Sequence, residues 1–367
     1  MKATARLNEL GQSLWLDNIT RKMLGDGTLQ GYIEELSVTG LTSNPTIFDK
    51  AISGGDSYDE QIAEVGDAAA AGEGVGENTE ERIFFELALA DLRDATKLFA
   101  PVHERTDGVD GFCSLEVSPL LADDAAATIE QAQALHAKAE RENLYIKIPG
   151  TEAGREAIEE TIFAGIPVNV TLLFDAAQYL GAAEAYMRGI ERRIEAGLNP
   201  AVASVASIFM SRWDVAVADE VSDELRNRLG IAVGGRAYVA YRELLESDRW
   251  LRLMNEGARP QRLLWASTGT KDPDASDTLY IEAFASPFTV NTMPEPTLLA
   301  FADHGQVGDL MAADGGNCEP LLKEFEAAGI DVDALAERLQ VEGKESFNKS
   351  WEELLKSIAS QRGGGSE

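Results

Sequence analysis

The chain has 367 residues, of which 44% are hydrophobic and 7% aromatic, enough for one large domain or two of ordinary size. Its 63 acidic residues outnumber its 32 basic ones, and the resulting net charge of −31 argues against binding to nucleic acid or to anionic membranes. There is no apolar run of membrane-spanning length, no signal-peptide core after Met1 and no disulfide framework from Cys113 and Cys318, so we expect a cytoplasmic protein.

Short apolar segments alternate with helical patterns along the chain. Several of these segments are continuously apolar, which is typical of parallel strands that are covered on both faces. The eight predicted strands are residues 13–16, 36–42, 112–117, 144–148, 166–174, 202–209, 263–267 and 281–290.

The predicted helices have recognisable ends, such as Asp123 and Asp124, which can cap a helix reaching about residue 143. Apolar residues at every third or fourth position predict one buried face in the helix over 175–197: Leu180, Ala183, Met187, Ile190 and Ile194. The other predicted helices are residues 151–164, 214–229, 238–254 and 319–360, the last with breaks at Gly329 and Gly343.

Eight strand–helix units predict an α/β fold, a (β/α)8 TIM barrel with extra helices, whose usual size is about 250 residues. The additional length falls in residues 54–110, 214–258 and the C-terminal helices, which we interpret as helical decorations. We expect one barrel domain over residues 1–360 and a disordered tail over residues 361–367. The Ala-Gly-Glu-rich stretch 68–77 is interpreted as a lid or a mobile loop.

Polar side chains recur at the predicted carboxyl ends of the strands, where barrel enzymes carry their catalytic groups. Lys147 is the most informative of them, because burial in a strand disfavours an ammonium ion. The neutral amine that burial favours is the form that attacks carbonyl carbon. The other polar residues at or just beyond these strand ends are Asp17, Asn44, Glu116, Asn169, Thr171, Ser207, Arg212 and Lys271.

Each of these residues also has a simpler interpretation. Lys147 could reach water from an edge strand or form a structural ion pair with Glu116. Asp17 could cap a helix, and Asn44 could be a turn residue. Polar groups at seven strand ends around one lysine are nevertheless poorly explained by seven separate structural roles. The three histidines are far apart and lack metal-binding spacing, so we expect carboxylates rather than zinc to perform acid–base chemistry.

Several segments, in their order and separations, resemble the transaldolase family. They are Thr-Ser-Asn-Pro-Thr-Ile-Phe (42–48), Ser-Leu-Glu-Val (114–117), Tyr-Ile-Lys-Ile-Pro (145–149) and Val-Asn-Val-Thr-Leu-Leu-Phe (168–174). Leu-Trp-Ala-Ser-Thr-Gly (264–269) and Val-Asn-Thr-Met-Pro (290–294) resemble its larger bacterial subgroup. The resemblance implies a (β/α)8 barrel, sugar-phosphate substrates and no metal or organic cofactor. Homodimers occur in that family, although the sequence identifies no interface.

The resemblance also implies individual roles in moving a dihydroxyacetone unit from sedoheptulose 7-phosphate or fructose 6-phosphate to an aldose phosphate, in the pentose phosphate pathway. Lys147 would form the Schiff base, and Asp17 would take the proton of the C4 hydroxyl. Glu116, with a water held by Thr171, would move protons as the imine forms and hydrolyses. The implied substrate contacts are Asn44 and Asn169 to the dihydroxyacetone unit, Ser207 and Arg212 to the phosphate, and Lys271 in place of a second arginine.

Two other functions stay open on the sequence alone. A fructose-6-phosphate aldolase of the same family would release dihydroxyacetone to water. Such relatives are shorter and tend to carry Gln and Tyr where this chain has Glu116 and Phe209, which favours the transferase. A non-catalytic barrel that binds sugar phosphate would need Arg212 and Lys271 but would have no use for Lys147.

Overall fold

Eight parallel strands form a closed barrel in the computed structural model, which describes residues 1–364. The strands follow one another around the barrel in chain order, and the last pairs with the first. They are β1 (Ser13–Asp17), β2 (Val38–Thr42), β3 (Cys113–Glu116), β4 (Leu144–Pro149), β5 (Val168–Leu173), β6 (Ser204–Phe209), β7 (Gln261–Ala266) and β8 (Val290–Met293). The (β/α)8 prediction is confirmed.

Helices surround the barrel and extend over its carboxyl end. They are α1 (Ala3–Glu9), α2 (Arg21–Gly25), α3 (Thr28–Glu35), α4 (Pro45–Ser53), α5 (Asp59–Ala70), α6 (Thr79–Arg105), α7 (Ala125–Ala139), α8 (Glu152–Phe163), α9 (Ala176–Glu195), α10 (Ser211–Val217), α11 (Leu229–Glu246), α12 (Asp248–Asn255), α13 (Leu279–Ala283), α14 (Glu295–His304), α15 (Cys318–Ala327) and α16 (Val332–Gly364). No helix in residues 1–364 combines the length and the apolarity that crossing a membrane requires.

A tryptophan fills part of the barrel interior below the site. Trp15 is fully buried, and its indole N–H donates to Asp110 Oδ1 at 2.7 Å. Gly40 on the neighbouring strand leaves room for the ring, because a Cβ there would lie 2.5 Å from Trp15 Nε1. The barrel is therefore a packed core rather than a channel, and its carboxyl end opens into a large cavity.

The helix caps form as the sequence predicted. The carboxylate of Asp124 accepts from the N–H of Ala127 at 3.0 Å, at the start of α7. In the helix α9, Ala183, Met187 and Ile190 are buried, which confirms most of the predicted apolar face. Leu180, which is 41% exposed, and Ile194, which is half-buried, are the exceptions.

The eighth strand lies later in the chain than predicted. Residues 281–290 were expected to form it, but Leu279–Ala283 is helix α13 and the strand runs from Val290 to Met293. Pro287 lacks an N–H for a sheet ladder. Just before the strand, the Thr289 hydroxyl donates to the carbonyl of Ser286 at 2.8 Å and holds a turn there.

The helix predicted over 214–229 does not exist as one element. Helix α10 ends at Val217 and α11 begins at Leu229, where the carboxylate of Asp214 accepts from the N–H groups of Leu229 (2.8 Å) and Gly230 (3.2 Å). Because Asp214 caps the next helix, the chain between them has to loop back. The helix predicted over 238–254 is likewise interrupted at Ser247, whose hydroxyl caps α12.

Residues 54–110 are more than decoration. Within them α6 packs against β2 and β3, so it is the barrel's own connecting helix between these two strands. The carboxylate of the buried Glu81 accepts from the N–H of Glu77 at 3.0 Å, which ties the loop before α6 to that helix. The proposed mobility of residues 68–77 stays a prediction.

The C-terminal region is one long helix beyond Gly329. The predicted break at Gly329 is confirmed, whereas α16 continues through Gly343 without interruption. Residues 361–364, expected in a disordered tail, continue α16 because Gln361 donates to the carbonyl of Ile52 at 2.7 Å and Arg362 pairs with Glu80 at 3.2 Å. The remainder of that predicted tail, residues 365–367, lies outside the described residues.

Candidate active site

A cavity of about 570 Å³ opens at the carboxyl ends of the strands. It is lined by seven of the nine residues that the sequence singled out: Asp17, Asn44, Lys147, Thr171, Ser207, Arg212 and Lys271. The other two, Glu116 and Asn169, lie directly behind this lining, in hydrogen-bond contact with Lys147 and Ser207 respectively. The fold thus brings all nine residues together, although they come from seven different strand ends.

Lys147 and Glu116 form a buried ion pair. They occupy paired positions of β4 and β3, and only 6% of Lys147 and 7% of Glu116 are exposed. The ammonium group of Lys147 donates to Glu116 Oε1 and to the backbone carbonyl of Ser43, the latter at 3.0 Å. Burial raises the pKa of Glu116 above its usual value, although the positive charge of Lys147 opposes this. Glu116 therefore takes up and releases a proton at a pH closer to neutral than an exposed glutamate does.

Asp17 ends β1 and lines the same cavity as Lys147. Burial raises the pKa of Asp17, whereas Lys147, the Thr42 hydroxyl and Lys271 lower it. Thr42 donates to Asp17 Oδ1 at 2.7 Å, and since its hydrogen is used there, the hydroxyl of Thr292 at 2.6 Å has to donate to Thr42. This chain of hydroxyls fixes the direction of the carboxylate.

Two amide side chains are held in defined orientations. Asn169 donates to Ser114 Oγ at 3.1 Å and accepts from Ser207 Oγ at 2.7 Å. Asn44 caps α4 by accepting from the N–H of Ile47 at 3.0 Å, so its amino group remains for the cavity. Asn44 thus presents a donor to the cavity, whereas Asn169 lies fully buried behind Ser207.

Three cations of the cavity lack an acidic partner. No carboxylate in residues 1–364 lies within ion-pair distance of Lys50, Arg212 or Lys271. The Arg212 guanidinium carbon lies 5.2 Å from the ring centre of Phe209, and burial lowers the pKa of this guanidinium. Since most arginines of this acidic chain pair with carboxylates, three unpaired cations in one cavity indicate an anion site.

Residues of α16 line the cavity and were missed by the sequence reasoning. Ser346, Phe347 and Ser350 contribute to its wall, and Ser350 accepts from the Thr46 hydroxyl at 3.0 Å. An argument from the carboxyl ends of the strands cannot identify these residues, because they lie on a helix far along the chain. The available signal is Gly343, at which the sequence predicts a helix break and which instead lets the helix approach the barrel.

A closed parallel barrel with a buried lysine and buried carboxylates at its carboxyl end is typical of a (β/α)8-barrel enzyme. The family model described as Transaldolase/Fructose-6-phosphate aldolase matches residues 14–358. A protein named transaldolase from Parafrankia sp. (strain EAN1pec) is 43% identical, over 99% of this chain and 98% of its own length. Transaldolase 2 of Streptomyces coelicolor is 42% identical over 98% and 97%. Transaldolase of Thermobifida fusca is 42% identical over 97% of each chain.

The chain belongs to the transaldolase/fructose-6-phosphate aldolase family. The predicted family and the predicted class of enzyme, a transferase, are confirmed by this full-length similarity. The family also includes the aldolases, so the site has to be considered for both reactions.

Proposed function

We propose that this protein is a transaldolase that transfers a dihydroxyacetone unit from sedoheptulose 7-phosphate or fructose 6-phosphate to glyceraldehyde 3-phosphate or erythrose 4-phosphate. The observation that carries the proposal is the buried Lys147, which contacts Glu116 and faces the same cavity as Asp17. Cytoplasmic action in the pentose phosphate pathway suits its two free, buried cysteines. We also propose one domain over residues 1–360; contacts of α16 with α4, α5 and α6 support this.

The first half of the reaction forms the Schiff base. Glu116 accepts a proton from the Lys147 ammonium group, and the neutral amine attacks C2 of the ketose. Glu116 returns this proton to the C2 oxygen, which gives a carbinolamine, then takes a second proton from the nitrogen and delivers it to the same oxygen, which leaves as water, with Thr171 placed to hold that water. A carboxyl group whose pKa is raised by burial suits this exchange.

The second half breaks the C3–C4 bond. Asp17 takes the proton of the C4 hydroxyl, the aldose phosphate leaves, and the bond electrons move to C3 and into the imine, which gives an enamine. The acceptor aldehyde then adds to C3, and its oxygen takes the proton from Asp17. Water adds to C2 of the new imine, the C–N bond breaks, and the product ketose leaves as the Lys147 amine is restored. Because the three-carbon unit stays bonded to Lys147 between the two steps, the kinetics are ping-pong.

The free amino group of Asn44 and the cations of the cavity support the expected substrate contacts, and a contact with Asn169 requires the substrate to replace Ser207 beside it. Asn44 and Asn169 donate to hydroxyl oxygens of the dihydroxyacetone unit, and Arg212 and Lys271 bind the distal phosphate, with Lys50 as a further cation. In the free protein the Ser207 hydroxyl donates to Asn169, so a contact between this hydroxyl and phosphate requires it to turn away from Asn169.

Reductive trapping tests the proposal. Sodium borohydride added with fructose 6-phosphate should leave a dihydroxyacetone-derived adduct on the peptide that contains Lys147, detected by mass spectrometry. Lys147→Ala should abolish both adduct and turnover, whereas Lys50→Ala, which removes a lysine of the same cavity, should retain the adduct.

An adduct excludes a non-catalytic binding barrel, and undiminished turnover of Lys147→Ala excludes the mechanism. Product analysis with erythrose 4-phosphate present separates the two enzymes. A transaldolase forms sedoheptulose 7-phosphate, whereas an aldolase releases dihydroxyacetone.

A further inference from the structure

A second, much smaller cavity lies beside the Lys147–Glu116 pair. Its volume of about 10 Å³ is space for one water molecule. Glu116, Lys147 and Thr171 supply polar groups to it, and the buried Thr171 hydroxyl has no hydrogen-bond partner within the described part of the chain. The remaining wall is largely apolar, formed by residues such as Val117 and Leu172.

Three residues line both this small cavity and the substrate cavity: Lys147, Thr171 and Phe347. Two of them belong to the proposed chemistry, and Phe347 is the apolar member that stands between the two spaces. No strand end contributes it; it comes from α16.

The ring of Phe347 is held in place from several sides. Its centre lies 6.3 Å from that of Phe209 and 6.0 Å from the Arg212 guanidinium carbon. Close to this residue, α16 is fastened to the barrel end by Lys344, which pairs with Asp123 at 2.7 Å, and by Gln340, which donates to the Leu172 carbonyl at 2.9 Å. The ring therefore forms part of the wall between the two cavities.

We propose that Phe347 determines the choice between transfer and hydrolysis by separating the water-sized cavity from the substrate cavity; the inference rests on the proposed Schiff-base function. In transfer, C3 of the enamine bonds to the acceptor aldehyde, whose oxygen takes the proton from Asp17. In the competing reaction, C3 takes that proton, one water adds to C2, and the C–N bond breaks. The nitrogen of Lys147 regains its electron pair, and dihydroxyacetone leaves. Water adds to C2 at the end of both reactions, so they differ at C3, where a water admitted past the ring can carry the proton of Asp17 to C3 before the acceptor adds.

Replacing Phe347 by a smaller residue tests whether its ring separates the two cavities. Fructose 6-phosphate and erythrose 4-phosphate are given to each variant, and the ratio of free dihydroxyacetone to sedoheptulose 7-phosphate is measured. Phe347→Ala should raise this ratio severalfold, and Phe347→Leu should raise it less, because more of the wall remains. In D₂O, the additional dihydroxyacetone should carry deuterium at the former C3.

Val341→Ala is the matched control, since Val341 is an apolar residue of the same helix that is 53% exposed. It should leave the ratio unchanged. An unchanged ratio in Phe347→Leu, with a normal borohydride adduct on Lys147, would overturn the role of Phe347 and leave the proposed function intact. Absence of the adduct in the unaltered protein would overturn both. Phe347→Leu carries the test if Phe347→Ala does not fold.

Discussion

The pKa of Asp17 is set by burial and by individual contacts that act in opposite directions. Burial raises its pKa most strongly, while the charge of Lys147 and the hydroxyl of Thr42 lower it. A general base must be ionised to accept a proton, so activity falls as the pH decreases through the pKa of Asp17. The acid limb of kcat/KM should therefore lie above the pH at which an exposed aspartate titrates.

Thr42→Val should move this acid limb to higher pH. The substitution removes the hydrogen bond that stabilises the ionised carboxylate, so the pKa of Asp17 rises further. The measurement is the pH profile of kcat/KM for fructose 6-phosphate, compared with the unaltered protein so that titration of the phosphate cancels. Thr39→Val is the control, because Thr39 also lies on β2 but donates to the Leu14 carbonyl. An acid limb that stays in place would show that Asp17 is not the base.

The strand-end residues could be predicted because their local sequence is unusual. A lysine and a glutamate within apolar strands require a special environment, and the barrel rule places strand ends together. The hydrogen bonds between them could not be predicted in the same way. Nothing in the sequence indicates that the Ser207 hydroxyl points to Asn169, because this depends on the stagger of neighbouring strands.

At the scale of elements, the approach of α16 to the barrel depends on Gly343. A Cβ at this position would lie 3.1 Å from Leu172 Cδ2 and 3.4 Å from Arg212 Nη1. Leu172 itself has a φ of +60°, a conformation that is costly for leucine, so the backbone there has little freedom to yield. Helix α16, the end of β5 and the Arg212 guanidinium therefore meet at one small residue.

Gly343→Ala should raise the KM for fructose 6-phosphate severalfold, with a smaller change in kcat. The added methyl group displaces α16 and the Arg212 guanidinium, which mainly weakens substrate binding. Steady-state kinetics measure the effect. Gly31→Ala in α3 is the control, since a Cβ there meets nothing within 4 Å. It should stabilise the fold by about 0.5–1 kcal/mol and leave KM unchanged. An unchanged KM in Gly343→Ala would contradict the proposed contact.

The elements that could not be located from sequence share a physical cause. The eighth strand and the region 214–229 contain apolar residues at spacings that fit more than one element. Their structure is decided by distant contacts, such as Asp214 capping α11 and the Tyr280 hydroxyl donating to Asp214 at 2.6 Å. Helices with a capping residue and a regular apolar face, such as α9, could be located from the sequence without knowledge of distant contacts.

For the whole molecule, the net charge of −31 and the cationic cavity act on an anionic substrate in opposite directions. The acidic surface repels it over a long range, whereas Arg212, Lys271 and Lys50 attract it at short range. Salt weakens the long-range effect more. The screening length falls from roughly 30 Å at 0.01 M ionic strength to about 8 Å at 0.15 M.

Raising the ionic strength over this interval should therefore increase kcat/KM for glyceraldehyde 3-phosphate as acceptor. Ping-pong kinetics allow the acceptor to be varied alone, at saturating donor. Unphosphorylated glyceraldehyde is the control, and its kcat/KM should change little because it carries no charge. A decrease for the phosphorylated acceptor would show that the cavity cations, rather than the acidic surface, govern its arrival.

The closure of the barrel also limits how copies of this chain can associate. Each of the eight strands is hydrogen-bonded to a neighbour on both sides, so none of them offers unpaired N–H and C=O groups to another molecule. Addition of a foreign strand, a common route to dimers and to fibrils, has no starting point on this sheet. A homodimer would have to be built from helix faces and loops, and its contacts would be made by side chains rather than by the backbone.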